Sequence, residues 1–314
     1  MAADTAAALK ALYANLNRVI LGKGETILLL IAALIARGHV LLEDVPGTGK
    51  TMLARTLAQS LHATLRRLQC TPDLLPSDVT GHAIYRQDLQ QFQFVPGPAF
   101  SDVLLVDEIN RATPRTQACL LECMEERQIT VDNETHALAA GFFVIATQNP
   151  AGYHGTFPLP EAQLDRFMLR LRLGNPSLEH ETALLAARVH AEPLSDIAPV
   201  LTLAGLAELQ AAVRAVDVHP DVQRYIATVV RATRTAAEVE LGASPRAALA
   251  LLRASQAVAL LQGKRFVAPD HVKRIAPAVL AHRLVLRQGN DSAAAERVVL
   301  TALDSVAVPV AATA

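Results

Sequence analysis

The sequence predicts an α/β protein: a mostly parallel sheet covered on both faces, followed by a helical second domain. Three observations predict it. A glycine-rich loop over residues 47–51 lies between a short apolar run and a stripe of helical period. Two later apolar runs, 103–106 and 142–146, are continuous and not alternating, as in strands buried on both faces. After residues 174–177 the strand signals give way to helical periodicity, and 314 residues exceed what one core ordinarily serves.

Taken in order, residues 27–36 form an apolar run bracketed by Lys23, Glu25 and Arg37. At that length it is a buried helix and not a membrane span, which needs about 20 residues. Val40 to Leu42 reads as a buried strand feeding the glycine-rich loop, and Met52, Leu53, Leu57 and Leu61 then recur at helical spacing. "FQFVPGP" (92–98) is a short strand ending in a turn. Thr113 and Pro114 supply an N-cap and first residue for a helix reaching Glu126. "RQITVDNETH" (127–136) alternates about Asp132 and Asn133 and predicts a β-hairpin. Phe167, Leu169, Leu171 and Leu173 alternate with Met168, Arg170 and Arg172, which suits a half-wet edge strand.

"AEPLSDIAPV" (191–200) marks the expected boundary between domains 1–190 and 191–314. Beyond it, Leu206, Leu209, Val213 and Val216 make one helical stripe, and Val222, Tyr225, Ile226, Val229 and Val230 another. Ser244 caps a third helix that opens with Pro245 and closes near Gly263; Pro269 to His282 is a fourth. The alanine-rich tail after Ser292 is expected to fray at its end.

A net charge of −1 offers no bulk attraction to nucleic acid or anionic lipid. Three cysteines, Cys70, Cys119 and Cys123, form no pairable framework and point to a reducing compartment. Cys119 and Cys123 share a helix face but have no second pair, and His39, His136 and His154 lack metal spacing; buried thiols and structural or surface histidines account for them. With no secretory pattern in "MAADTAAALK", a soluble, cytoplasmic protein is expected.

The chemistry gathers at strand ends. Val45, Pro46, Gly47, Thr48, Gly49, Lys50, Thr51 and Met52 place backbone N–H groups at a helix N-terminus, where unpaired donors and the dipole favour an anion. Lys50 would reach the β and γ phosphates and the Thr51 hydroxyl would ligate magnesium. Asp44 occupies the place of the loop's usual first glycine; it spares the cradle if its carboxylate points away from the phosphates. "VLLVDE" puts Asp107, a magnesium holder, and Glu108, which would polarise the attacking water, at the C-terminal end of a buried strand. "VIATQNP" ends another strand at Asn149, able to orient that water or touch the γ phosphate. Arg166 stands alone in "LDRF". Arg246, second residue of its helix, lies at the positive end of the dipole, where an anionic partner would offset the clash.

"EDVPGTGKT", "GPAFSDVLLVDEINRATPRTQACLLECMEERQITVDNETH", "VIATQNP", "FPLPEAQLDRFML", "GASPRAALALL" and "DHVKRIAPAVLAHR", in this order, resemble the AAA+ ATPases and more closely the MoxR family. The resemblance implies a five-stranded parallel sheet of order 5-1-4-3-2, a C-terminal all-α lid, a helix-2 insert at about 81–98 and a pre-sensor hairpin at about 127–138. It further implies that Lys50 and Thr51 match Walker A, Asp107 and Glu108 Walker B, Asn149 sensor 1, Arg246 sensor 2, and Arg166 the arginine finger acting on a neighbour's nucleotide. "VILGKG" (19–24) resembles the adenine-contacting segment, with Lys23 in place of a commoner glutamine. Arg111 is either a further trans-acting sensor or a surface pair.

The implied function is Mg-dependent ATP hydrolysis in a homo-oligomeric ring, most plausibly a hexamer, that remodels or activates a client, with a von Willebrand factor A (VWA) domain protein as partner. Neither direct nucleic-acid binding nor membrane insertion is expected. One rival is a nucleic-acid motor related to helicases that share the insert and hairpin, against which the acidic tip Asp132, Asn133 and Glu134 speaks. Another is a nucleotide-gated scaffold, for which Glu108, Asn149 and Arg166 together have no use.

Overall fold

The computed structural model describes residues 2–131, 134–149, 156–189, 194–289 and 291–309. The chain opens with two helices, α1 (Ala2–Val19) and α2 (Gly24–Ile35). Leu9, Leu12, Leu16 and Val19 give α1 a buried stripe at helical spacing, a helix the sequence reading did not include. In α2 the run 27–35 is almost wholly buried except Leu28, as expected of it.

Strand β1 (Val40–Glu43) leads through the glycine-rich loop into α3 (Lys50–Ser60), and β2 (Leu65–Gln69) follows. A short α4 (Pro76–Thr80) then leads into the hairpin β3 (Gly81–Arg86) and β4 (Gln91–Pro96). At the hairpin base Gly81 has φ +90°, and a Cβ there would lie 2.2 Å from the Val95 carbonyl oxygen, so two backbones meet where only glycine fits. The chain continues through β5 (Val103–Asp107), α5 (Pro114–Glu126), the hairpin β6 (Gln128–Val131) and β7 (Glu134–Ala137), and β8 (Phe143–Gln148). Thr113 caps α5 by accepting from the Thr116 N–H, as its sequence predicts. The hairpin tip residues Asp132 and Asn133, Pro150 and His154 lie outside the described residues. Next come α6 (Glu161–Leu164), β9 (Leu169–Leu171) and α7 (Leu178–Arg188).

The sheet order is β2-β5-β8-β1-β9, all parallel. Numbered along the core alone, that is 5-1-4-3-2, and β9 lies at an edge as its alternation requires. Because strand residues alternate in direction, neighbours sort into two cores. Val40, Leu42, Val103, Leu105, Phe143 and Ile145 pack with α1, α2 and α3; Leu41, Leu104, Val106, Val144 and Ala146 pack with α5.

The C-terminal region holds α8 (Leu203–Arg214), α9 (Pro220–Thr235), α10 (Pro245–Leu261), α11 (Pro269–Leu280) and α12 (Ser292–Ser305). Its buried residues are continuous with the core of the α1–α3 face, and the Gln210 side chain crosses to the Leu34 carbonyl (3.1 Å). The lid is helical but also contains an antiparallel ribbon, β10 (Val239–Leu241) with β11 (Val285–Leu286), where no strand was expected. The alanine-rich tail is α12, whose Val298, Val299 and Leu303 are buried; its end after 309 and the boundary residues 190–193 lie outside the described residues. Among the described residues no helix is long and apolar enough to cross a membrane.

Candidate active site

Three parallel strands, β1, β5 and β8, end side by side, so their C-terminal residues share one rim. There a cavity of about 600 Å³ is lined by Pro46, Gly47, Thr48, Gly49, Lys50, Thr51 and Met52, and by Asp107, Glu108 and Asn149. Every residue expected at the nucleotide from the core strands and loop is therefore brought together, except Val45, an exposed loop residue that does not line the cavity.

The loop can cradle an anion because of its backbone. Gly47 and Gly49 have φ of +88° and +94°, which turn the chain sharply ahead of α3, and a Cβ at Gly47 would meet nothing within 4 Å. Asp44 is 93% buried in the opposite direction: its carboxylate accepts from the N–H groups of Leu173 and Gly174 (3.0 and 3.1 Å to Gly174). It ties the exit of β1 to the exit of β9 and leaves the cradle clear. Lys50 donates to the Asp44 carbonyl (2.7 Å), and burial pulls its ammonium pKa down against the raising influence of Asp44, Asp107 and Glu108.

Across the cavity the two acids are held from both sides. The Thr147 hydroxyl donates to Asp107 Oδ1 (2.6 Å) and accepts from the Glu108 N–H (2.9 Å). That fixes the turn where Glu108 adopts φ +57°. Arg67 donates to Asp107 Oδ2 through Nη2 (2.7 Å) and Nε (3.2 Å) and to Gln69 Oε1 (2.8 Å). Asn149 donates to Glu108 Oε1 (3.1 Å), and Arg111 pairs with Glu108 Oε2 (3.2 Å), giving Arg111 a partner inside its own chain. Arg67 and Thr147 were not foreseen: each sits on a strand next to β5 and reaches the acids by register, a relation no local motif displays.

At its far end the cavity is lined by Val19, Ile20, Leu21 and Lys23, as expected of 19–24, and also by His180, Glu181 and Leu184 of α7, which no sequence signal marked. Lys23 donates to the Asn175 carbonyl (2.8 Å). The donors suit magnesium: one hydroxyl and one carboxylate, both hard oxygen ligands, leaving positions for water and phosphate oxygens. Among the described residues no group of three or more His, Cys, Asp or Glu is placed to hold a metal by itself. Burial and the charges of Asp107 and Glu108 push the nearby Cys70 thiol up to about 12, so it is inert.

Arg166 and Arg246 are elsewhere. They line a second cavity of about 290 Å³ that shares no lining residue with the first, together with Glu125, Asp165 and Arg283. Glu125 binds both arginines, Arg166 Nε on Oε2 and Arg246 Nη2 on Oε1, each at 3.1 Å. Arg246, expected as sensor 2 without a choice between its own and a neighbour's nucleotide, does not line the first cavity: at the start of α10, Arg246 meets Glu125 and Ser244 meets Asp165. The anion facing that cation within the chain is Glu125.

The profile of the ATPase family associated with various cellular activities (AAA) matches residues 39–169, and that of the AAA lid domain matches 231–302. The uncharacterized protein YeaC of Bacillus subtilis is 47% identical over 94% of this chain and 93% of its own length. Chaperone MoxR1 of Mycobacterium tuberculosis is 38% identical over 94% of this chain and 81% of its own. A crystal structure of a candidate ATPase from Cytophaga hutchinsonii superposes with a TM-score of 0.89, at 33% identity, covering 98% of this chain and 97% of that one.

Proposed function

The chain belongs to the MoxR family of AAA+ ATPases, and from that premise we propose that it hydrolyses Mg-bound ATP in a ring of identical subunits to remodel a protein client. One observation carries the catalytic part: the cradle of residues 47–51, both acids and Asn149 line a single cavity at the strand ends.

In that reading the N–H groups after Gly47 and the Lys50 ammonium bind the phosphates, and Lys50 leaves the Asp44 carbonyl to do so. Thr51 and Asp107 would hold magnesium, which would neutralise phosphate charge. Glu108 orients and polarises the attacking water, and Asn149 fixes the Glu108 carboxylate while it does so. The placement of Arg166 and Arg246 away from this cavity supports a role in trans: a second copy, in a hexamer, offers its nucleotide to them. Glu125 then yields both arginines to the incoming phosphate. Remodelling of a client, with a VWA-domain protein as partner, is an inference from the family; the curated relative MoxR1 is named a chaperone.

Calorimetric titration with Mg-ATP and steady-state turnover test the catalytic assignment. Glu108→Gln is expected to bind ATP as the parent does and to hydrolyse it at least about a hundredfold more slowly, the scale of a lost general base or water-orienting group. Unchanged turnover removes Glu108 from that role.

A further inference from the structure

Arg283 is among the most enclosed charges in the molecule. It stands in the short turn 281–283 after α11, and its side chain is 3% exposed. Its guanidinium donates to Asp165 Oδ1 (2.6 Å) and to the carbonyls of Asp165 (3.1 Å), Phe167 (2.7 Å), Met168 (3.2 Å) and Val279. Three of those carbonyls belong to residues 165–168, the stretch that carries Arg166. The second Asp165 oxygen accepts from the Ser244 hydroxyl (3.3 Å), and Ser244 is the N-cap of α10, whose second residue is Arg246. The carboxylate of Asp165, the neighbour of Arg166 in the chain, therefore touches both the lid turn and the helix start before Arg246.

We propose that the Asp165–Arg283 pair, with Ser244, is a positioning unit that holds Arg166 and Arg246 at fixed separation, so that a second copy's nucleotide meets both together. It rests on the trans reading above. Two cations held on one glutamate repel one another, and Arg283 adds a third charge that Arg246 disfavours; the Asp165 carboxylate and the directional bonds of the fork to the 165–168 carbonyls hold the segment against that repulsion. A lysine offers a single point charge and cannot reproduce five such contacts. Because the unit spans core and lid, a shift of the lid is transmitted to both arginines at once.

Mixing full-length variants tests this. Lys50→Ala disables a copy's own cradle but leaves its arginines; Arg166→Ala does the reverse, and their mixture is expected to regain ATPase activity. Arg283→Lys is then placed on one or the other copy. On the Lys50→Ala copy, which must donate the arginine, it should cut the regained rate at least about tenfold, a modest share of the roughly thousandfold or more an arginine finger contributes. On the Arg166→Ala copy it should leave the rate within about twofold on that same scale. Asp165→Asn, which keeps the shape of the side chain, should show the same one-sided pattern if Arg283→Lys does not fold. A loss that is equal on both copies, or absent from both, overturns the proposal. If the parent mixture regains nothing, the trans reading fails and takes this proposal with it.

Discussion

Asp44 stands where a phosphate loop ordinarily has glycine, and its carboxylate is engaged outside the cradle, by the N–H groups of Leu173 and Gly174. The residue therefore belongs to the stability of the β1–β9 exit. Removing the acceptor from two N–H groups costs about 1–3 kcal/mol for each that is left unpaired. Asp44→Ala is expected to lose about 2–6 kcal/mol in urea unfolding while Mg-ATP affinity moves less than about threefold. Weakened binding with undiminished stability contradicts this placement. His39 is the second informative residue. Its Nδ1 accepts from the Val144 N–H and its Nε2 faces the Met124 carbonyl, both at 3.0 Å, an arrangement that only the neutral ring satisfies. Burial first, then the Arg127 charge, pull its pKa down to about 3. Because the folded value lies below the unfolded one near 6.5, the unfolded chain takes up the proton first as pH falls. Stability is then lost between about pH 6.5 and 3, amounting to about 2 kcal/mol at pH 5. Urea midpoints at pH 7 and pH 5 should differ less in His39→Gln than in the parent; equal differences contradict the buried neutral ring.

At the scale of elements, the hairpin β3–β4 depends on close backbone approach at its base, where Gly81 and Gly97 face each other. Gly81→Ala should loosen that hairpin, read as faster amide exchange across 81–96, without altering Mg-ATP affinity, since neither strand lines the nucleotide cavity. Unchanged exchange contradicts the steric role of Gly81. The elements that were legible in the sequence share a property: their signal is local. Strand β1, the loop and α3 are consecutive, and Thr113 with Pro114 announces α5 within two residues. What was not legible depends on pairing. Arg67 and Thr147 reach Asp107 from two different strands, Glu125 binds arginines 41 and 121 positions away in the chain, and β10 and β11 are too short for any period to show. The α1 stripe Leu9, Leu12, Leu16 and Val19 is also a local signal, at helical spacing. Asn149 was legible as a strand-end polar residue, but its partner Glu108 emerged only with the sheet order.

For the whole molecule, the decisive feature is that the cavity at the glycine-rich loop and the arginine cavity are separate in one chain. A single copy keeps Arg166 and Arg246 on Glu125, away from the cavity that gathers the cradle, both acids and Asn149. In the proposed ring, head-to-tail association of copies would bring the two together at each junction, and closure would leave neither unmatched. The lid contributes to both sides of this arrangement, since its helices share the core of the α1–α3 face while Arg283 fastens the stretch that carries Arg166. The most direct measurement is the ATPase rate of an equimolar mixture of Lys50→Ala and Arg166→Ala. Each alone should be inactive, and the mixture should regain activity at about a quarter of its junctions, where an intact cradle meets an intact arginine by random assembly. A mixture as inactive as its components, or an Arg166→Ala protein that turns over ATP unaided at the parent rate, contradicts the account.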